Sequence, residues 1–295
     1  MVTDQIRTDT PKAGFQVKIR AYAELLKMRL SLLVALSSVF GYGMASGEWT
    51  WNLLWIGAGG LLVTGASNVL NQLIEKDLDA KMNRTANRPL PTGILSEGEA
   101  LGYAILLAVS GIGIIGTLFN LPAALLAVIG LISYAFIYTP LKRQTPFCVF
   151  IGAIPGGLPP LIGWVAFTGT LDAGGLVLFV FQFFWQFPHF WAIAWLLDED
   201  YKRAGFKMLP SAQGKTGYST QMIVTYTVCL IPLAWFGWQV GLVGLWGAIA
   251  LAASGVAFVY PAIQLHNTFE DKYAKQLMFA SFLYLPLIQA AFLLG

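Results

Sequence analysis

Asn71, Glu75 and Asp79 stand four residues apart in Asn71-Gln-Leu-Ile-Glu75-Lys-Asp77-Leu-Asp79. On a helix this spacing stacks them on one face, as a column of oxygen ligands about 12 Å long. Like charges so placed repel one another, and a cation between them makes the column tolerable. Magnesium suits it, because it takes carboxylate oxygen, keeps waters and commonly bridges to substrate phosphates. Asp77 points elsewhere and adds negative charge. Lys81, Arg84 and Arg88 follow directly, the last two in Arg84-Thr-Ala-Asn-Arg88-Pro89-Leu-Pro91. Guanidinium forks match phosphate oxygens bidentately, and the prolines end any helix there. Metal-binding acids followed by phosphate-binding cations are the composition of a magnesium–diphosphate site. The alternative is a solvated loop of mixed charge.

Other stretches could complete such a site. Tyr138-Thr-Pro-Leu-Lys142-Arg143 offers one phenol and two cations, either as a second diphosphate clamp or as an interfacial anchor of the kind Tyr, Lys and Arg commonly provide. Asp198-Glu-Asp200-Tyr-Lys202-Arg203 closes an apolar segment. Acids at a helix C-terminus oppose its dipole, and carboxylates from two helices could hold two cations around one diphosphate. The segment before it is rich in Phe and Trp, including Trp185, Trp191 and Trp195. These rings could line an isoprenoid channel and stabilise an allylic cation, or face lipid. Gln182, Gln186 and His189 share that segment, and polar side chains at membrane depth usually face a bundle interior. His189 could ligate haem iron, accept a proton, or bond to a backbone carbonyl. Ile154-Pro155-Gly-Gly-Leu-Pro159-Pro160 is expected to open its helix, which survives at membrane depth only beside a cavity or packed protein.

These residues need a scaffold, and composition says which. The chain has 295 residues, of which 57% are hydrophobic and 11% charged. A soluble domain carries about 25% charged residues, so one lipid-solvated bundle is expected. Stretches of about 20 apolar residues mark membrane helices, and nine are found, roughly at 30–47, 51–71, 99–119, 122–139, 146–167, 174–197, 218–238, 242–263 and 275–294. The expected fold is all-α and polytopic, with an N-terminal tail over 1–29 and one nine-helix domain over 30–295. Nine spans place all 18 Lys and Arg residues on one side. By the positive-inside rule that side is cytoplasmic, so the N-terminus and the charged loops lie inside and the C-terminus outside. Residues 1–25, with Asp4, Arg7, Asp9, Lys12, Lys18 and Arg20, lack the apolar run of a cleavable signal. Cys148 and Cys229 form no disulfide framework. Loops 72–98 and 198–217, four helices apart, hint at two similar four-helix units.

The motifs resemble those of the UbiA superfamily of intramembrane prenyltransferases. Asn71-x3-Glu75-x3-Asp79 is similar to the family's first acidic motif, with Glu where Asp is usual, and Tyr138-x3-Lys142 to a further diphosphate-contacting element. Within the superfamily the chain resembles the haem-farnesylating branch. This rests on Arg84-Thr-x-x-Arg88-Pro-Leu, Tyr138-Thr-Pro-Leu-Lys142-Arg143, Gly152-Ala-Ile-Pro-Gly, Pro159-Pro160-x-Ile-Gly-Trp164, Trp185-Gln-x-Pro-His189-Phe and Asp200-Tyr-x-x-Ala-Gly-x-x-Met208-Leu-Pro210. It covers most of residues 25–293. Two features depart from the family pattern: Lys27-Met28-Arg29 replaces Lys-Pro-Arg, and Asp198 and Asp200 replace a cleanly spaced aspartate pair.

The resemblance implies a nine-helix bundle that transfers farnesyl from farnesyl diphosphate to a vinyl group of haem b, with addition of water, giving haem O and diphosphate. It implies Mg2+ held by Asn71, Glu75, Asp79, Asp198 and Asp200, and a diphosphate held by Arg84, Arg88, Tyr138, Lys142, Arg143 and Lys202. Trp185, Gln186 and His189 are implied at the haem and isoprenoid end. The expected setting is the inner membrane, with the lipid bilayer and both substrates as partners, no nucleic acid, and a haem A synthase or terminal oxidase assembly downstream. The rival readings are a quinone-precursor prenyltransferase of the same superfamily, a transporter with a broken helix along its path, and a scaffold for oxidase assembly.

Overall fold

The computed structural model describes residues 14–294, and every regular element among them is helical. Asp4, Arg7, Asp9 and Lys12 lie outside the described residues. Part of the expected tail is ordered: α1 (Phe15–Leu25) packs on the bundle through Ala21 and Leu25. Lys27, at a left-handed φ of 48°, turns the chain sharply into the first long helix, α2 (Met28–Ser46).

The first unit continues with α3 (Asn52–Ile74), the short α4 (Lys76–Asp79), α5 (Glu97–Leu118) and α6 (Leu121–Ile132). A π-helical stretch, Ser133–Tyr138, joins α6 to α7 (Thr139–Leu141). The second unit comprises α8 (Cys148–Thr168), α9 (Ala173–Leu196), α10 (Asp198–Ala204), α11 (Gly217–Val228), α12 (Leu230–Gln239) and α13 (Leu245–Thr268), and α14 (Asp271–Leu294) follows. Eight spans among the described residues are long and apolar enough to cross a membrane, one fewer than expected; the ninth expected segment falls in α14. The protein is a multi-pass membrane protein.

The short turns have local causes. Ser96 and Glu99 form a reciprocal capping box that starts α5. Asn120 caps α6 through Ala123 and donates to the last carbonyls of α8, Val165 and Ala166. Asp172 caps α9 and accepts from the indole of Trp164. These bonds satisfy helix-end groups that lipid cannot. Leu33, Leu54, Leu106, Val109 and Leu283 are exposed apolar residues, as a lipid-facing surface requires.

The two units meet where α2 packs on α8 backbone to backbone. A Cβ on Gly41 would strike the carbonyl of Pro160, and one on Gly163 the carbonyl of Ser38. Two hydrophobic clusters flank this seam, one built mainly from the first unit and the other from α8 to α14.

The expectation that α8 breaks is corrected: it runs unbroken through Pro155, Pro159 and Pro160. Pro160 has no N–H for the carbonyl of Gly156. The Gln182 amide of α9 donates to that carbonyl at 2.8 Å, and Gln186 donates to Ala153 at 3.1 Å. Gln182 thus supplies the donor that Pro160 removes, and Gln186 adds a second bond between the helices.

Candidate active site

The column of oxygens forms as the spacing predicts, across a kink. α3 ends at Ile74 and α4 starts at Lys76, with Glu75 between them at φ −95° and ψ 7°. The ladder carries through, because Glu75 N–H donates to Asn71 O at 3.0 Å and Asp79 N–H to Glu75 O at 2.7 Å. The column is more deeply buried than a helix-end loop would be: Asn71, Glu75 and Asp79 are 2%, 4% and 1% exposed. Asp77 is exposed, as expected.

Buried carboxylates need partners, and here each has a cation that the sequence assigned to phosphate. Lys142 Nζ lies 2.8 Å from Glu75 Oε1 and 3.1 Å from its Oε2. It also sits 4.7 Å over the Tyr138 ring. Burial pushes the Lys142 ammonium down, but the charge and hydrogen bond of Glu75, with Tyr134 and Tyr201 nearby, hold it above its ordinary value. Arg88 Nη1 donates to Asp79 Oδ2 at 2.7 Å. The π-helical stretch brings Tyr138 and Lys142 to this point. Such bulges are frequent at functional sites.

Two residues join the site that sequence reasoning did not place there. Thr139 accepts a hydrogen bond from Asn71, so the motif read for its Tyr and Lys also supplies a hydroxyl. Lys27, noted only as part of a departure from the family pattern, lies close enough to the column for its charges to act on it. Burial, with Arg88 and Lys142, pushes its ammonium down to about 7, opposed by Glu75 and Asp79. The signal for Lys27 was its position just before the first apolar run.

The second acidic segment does something other than gather at this column. Asp200 accepts backbone N–H from Asn83 at 3.3 Å and Arg84 at 3.4 Å, and pairs with Arg203. It pins the loop that carries Arg84 and Arg88. These bonds, Arg203 foremost, hold its carboxyl below the usual range. Asp198 pairs with Lys202 at 2.7 Å, so Lys202 is engaged locally rather than in a clamp with Lys142. Lys207 N–H donates to Lys142 O at 2.7 Å and ties a third loop in. Arg84 and Arg143 are exposed at the rim.

Whether the residues fit a cation can be judged from their free atoms. Glu75 Oε1, Asp79 Oδ1 and Asp198 Oδ2 are buried without a well-formed hydrogen bond, although the first and last have ammonium neighbours. Asp79 Oδ1 has neither. Among the described residues no three of His, Cys, Asp or Glu converge as a complete cage. Two carboxylates and an amide oxygen, with Asp79 Oδ1 unclaimed, fit magnesium, which completes its shell with waters and phosphate oxygens. Asp198 and Asp200 both lie on α10, where Asp198 pairs with Lys202 and Asp200 holds the loop of Asn83 and Arg84.

At the apolar end, Trp185 donates to the carbonyl of Ser281 at 2.9 Å and stacks on His189, ring centroids 4.8 Å apart. His189 Nδ1 lies 2.7 Å from Ser281 Oγ. The Gln186 amide donates to Ala153 of α8 and to Gln182 of its own helix. Phe183, Phe187, Trp191 and Tyr226 form one packed aromatic cluster rather than a lipid-facing wall.

Residues 32–285 match the UbiA prenyltransferase family. The chain is 45% identical over 279 residues to the protoheme IX farnesyltransferase of Cytophaga hutchinsonii, covering 94% of this chain and 98% of that one. It is 41% identical to the same enzyme of Christiangramia forsetii, with 98% and 96% covered. Among solved structures it resembles a digeranylgeranylglyceryl phosphate synthase, with a TM-score of 0.77 and 22% identity over 94% of this chain and 98% of that one. It also resembles a UbiA homolog from Archaeoglobus fulgidus bound to GPP and Mg2+, with a TM-score of 0.66 and 16% identity over 92% and 99%. Fold and site thus define an intramembrane prenyltransferase, and the chain belongs to the UbiA family. The transporter and scaffold readings fall away.

Proposed function

We propose that the protein farnesylates haem b, taking the prenyl group from farnesyl diphosphate and giving haem O and diphosphate. The observation that carries this reading is the pairing of each column carboxylate with a phosphate-type cation, in a chain 45% identical to a protoheme IX farnesyltransferase.

The two ion pairs explain how the free site holds its charge and how it would take up substrate. Arg88 and Lys142 neutralise Asp79 and Glu75 while no ligand is present. When a diphosphate enters, the cations turn to its oxygens, where negative charge develops as the allylic C–O bond breaks. Lys27 adds a third cation, and Arg84 and Arg143 at the rim meet the anion on entry. Magnesium held by Asn71, Glu75 and Asp79 would supply positive charge to the same oxygens. The vinyl carbon of the haem attacks the farnesyl C1, diphosphate leaves, and water adds to the resulting carbocation with loss of a proton. In this reading Trp185 and His189 contact the acceptor. The charged loops and the N-terminus face the cytoplasm, the C-terminus lies outside, and the product passes to a haem A synthase or oxidase assembly.

Purified protein in lipid nanodiscs, given haem b, farnesyl diphosphate and Mg2+, is expected to form haem O, detected by mass spectrometry. Removing Mg2+ or changing Asp79→Ala is expected to abolish it. Full conversion by Asp79→Ala would refute the metal assignment; prenylation of a phenolic quinone precursor but not of haem would refute the acceptor.

A further inference from the structure

We propose that Thr139 is the positioning residue that orients Asn71, so that its amide oxygen, not its nitrogen, faces the cation of the site. This rests on the metal–diphosphate reading above and adds a residue to it.

The argument follows the hydrogen atoms. Tyr134 O accepts the Thr139 N–H across the π turn, and the Thr139 hydroxyl donates to the same carbonyl at 2.9 Å. The hydroxyl has one hydrogen, which is committed. Its oxygen can therefore only accept from Asn71, whose Nδ2 lies 3.1 Å away. The other Nδ2 hydrogen goes to Glu75 Oε2 at 2.9 Å. Both neighbours of the Asn71 nitrogen are thus acceptors.

The reversed amide would set its oxygen against a carboxylate oxygen and against a hydroxyl with no hydrogen left. That orientation is opposed above all by the Glu75 carboxylate, which can only accept. Asn71 and Thr139 are both 2% exposed, so water does not substitute for either partner. Among the described residues no donor reaches Asn71 Oδ1, and it is the free ligand atom.

The π turn is what makes this possible. In a regular α-helix the Thr139 N–H would bond to Ala135, and the side chain would stand elsewhere on the helix face. The extra residue in the turn moves both bonds from Ala135 to Tyr134, five residues back, and with that shift the lone pair comes within reach of Asn71 on α3. Groups that orient metal ligands typically alter metal affinity when removed.

The test uses full-length protein in detergent or nanodiscs. Thr139→Val keeps the shape and removes the acceptor; Thr139→Ser keeps the hydroxyl. The readouts are Mn2+ occupancy by electron paramagnetic resonance and the Mg2+ concentration for half-maximal farnesyl diphosphate binding. Thr139→Val is expected to raise that concentration about 10-fold or more, and Thr139→Ser to match the parent. If the valine variant does not fold, Thr139→Ala is expected to shift the same value in the same direction. Unchanged metal dependence in the valine or alanine variant overturns the proposal. Asn71→Ala separates the two readings. If it leaves metal dependence unchanged, the metal role of the column fails; if it shifts it and the Thr139 variants do not, only the positioning role fails.

Discussion

Lys142 Nζ lies 2.8 Å from Glu75 Oε1, with both side chains almost wholly buried, and it joins the end of the first unit's last helix to the end of α3. The pair spans 67 residues of sequence. Removing one member leaves a buried charge alone, which typically costs about 3–5 kcal/mol.

Lys142→Met is therefore expected to lower the melting temperature in detergent and to abolish haem O formation. Lys142→Met with Glu75→Gln is expected to recover most of the stability and none of the activity. Recovery of both would mean that the pair is a structural staple and not part of the diphosphate site.

Arg88→Lys keeps the charge beside Asp79 but loses the guanidinium fork, and the two cations are not equivalent for phosphate. The Michaelis constant for farnesyl diphosphate is expected to rise by about 10-fold, equivalent to about 1.4 kcal/mol, with that for haem b unchanged. A rise confined to haem b would contradict the assignment.

Gln182 answers the carbonyl that Pro160 leaves free. Gln182→Leu is expected to destabilise the protein by roughly 1–3 kcal/mol, the cost of a buried polar group left unpaired. Adding Pro160→Ala restores an N–H for Gly156 and is expected to return part of that loss. Thermal unfolding of the single and double variants measures it; no loss in Gln182→Leu would refute the account of α8.

Lys27 makes a pH prediction. Its ammonium is pushed down to about 7 from 10.5, so the free protein at pH 8 holds it mostly neutral. In the free protein its burial penalty is full below about 7 and fades as pH rises toward 10.5, because only the unfolded chain stays protonated in that window. An arriving diphosphate favours the charged form, so binding at pH 8 is expected to take up close to one proton, about what linkage to a single site allows. Calorimetry in buffers of different ionisation enthalpy reads this uptake. The same uptake in Lys27→Met would show that another group is responsible.

The sequence by itself determined the class of fold, the membrane setting and the acidic column of the candidate site. Apolar stretches of helix length leave few alternatives in a bilayer, and i, i+4 spacing keeps Asn71, Glu75 and Asp79 on one face even across the kink at Glu75. These are local properties, so they are legible from residues close in the chain. Tertiary structure decided which charge meets which. Lys142 meets Glu75, Arg88 meets Asp79, and Asp200 meets the backbone of Asn83 and Arg84 instead of the column, because pairing across a bundle depends on how helix ends are brought together. It likewise showed that Gln182 and Gln186, expected to face the bundle interior, donate to carbonyls of α8. Lys27 and Thr139 entered the site for the same reason. Each stands beside a motif whose other residues drew attention, and only packing shows where its polar atoms go.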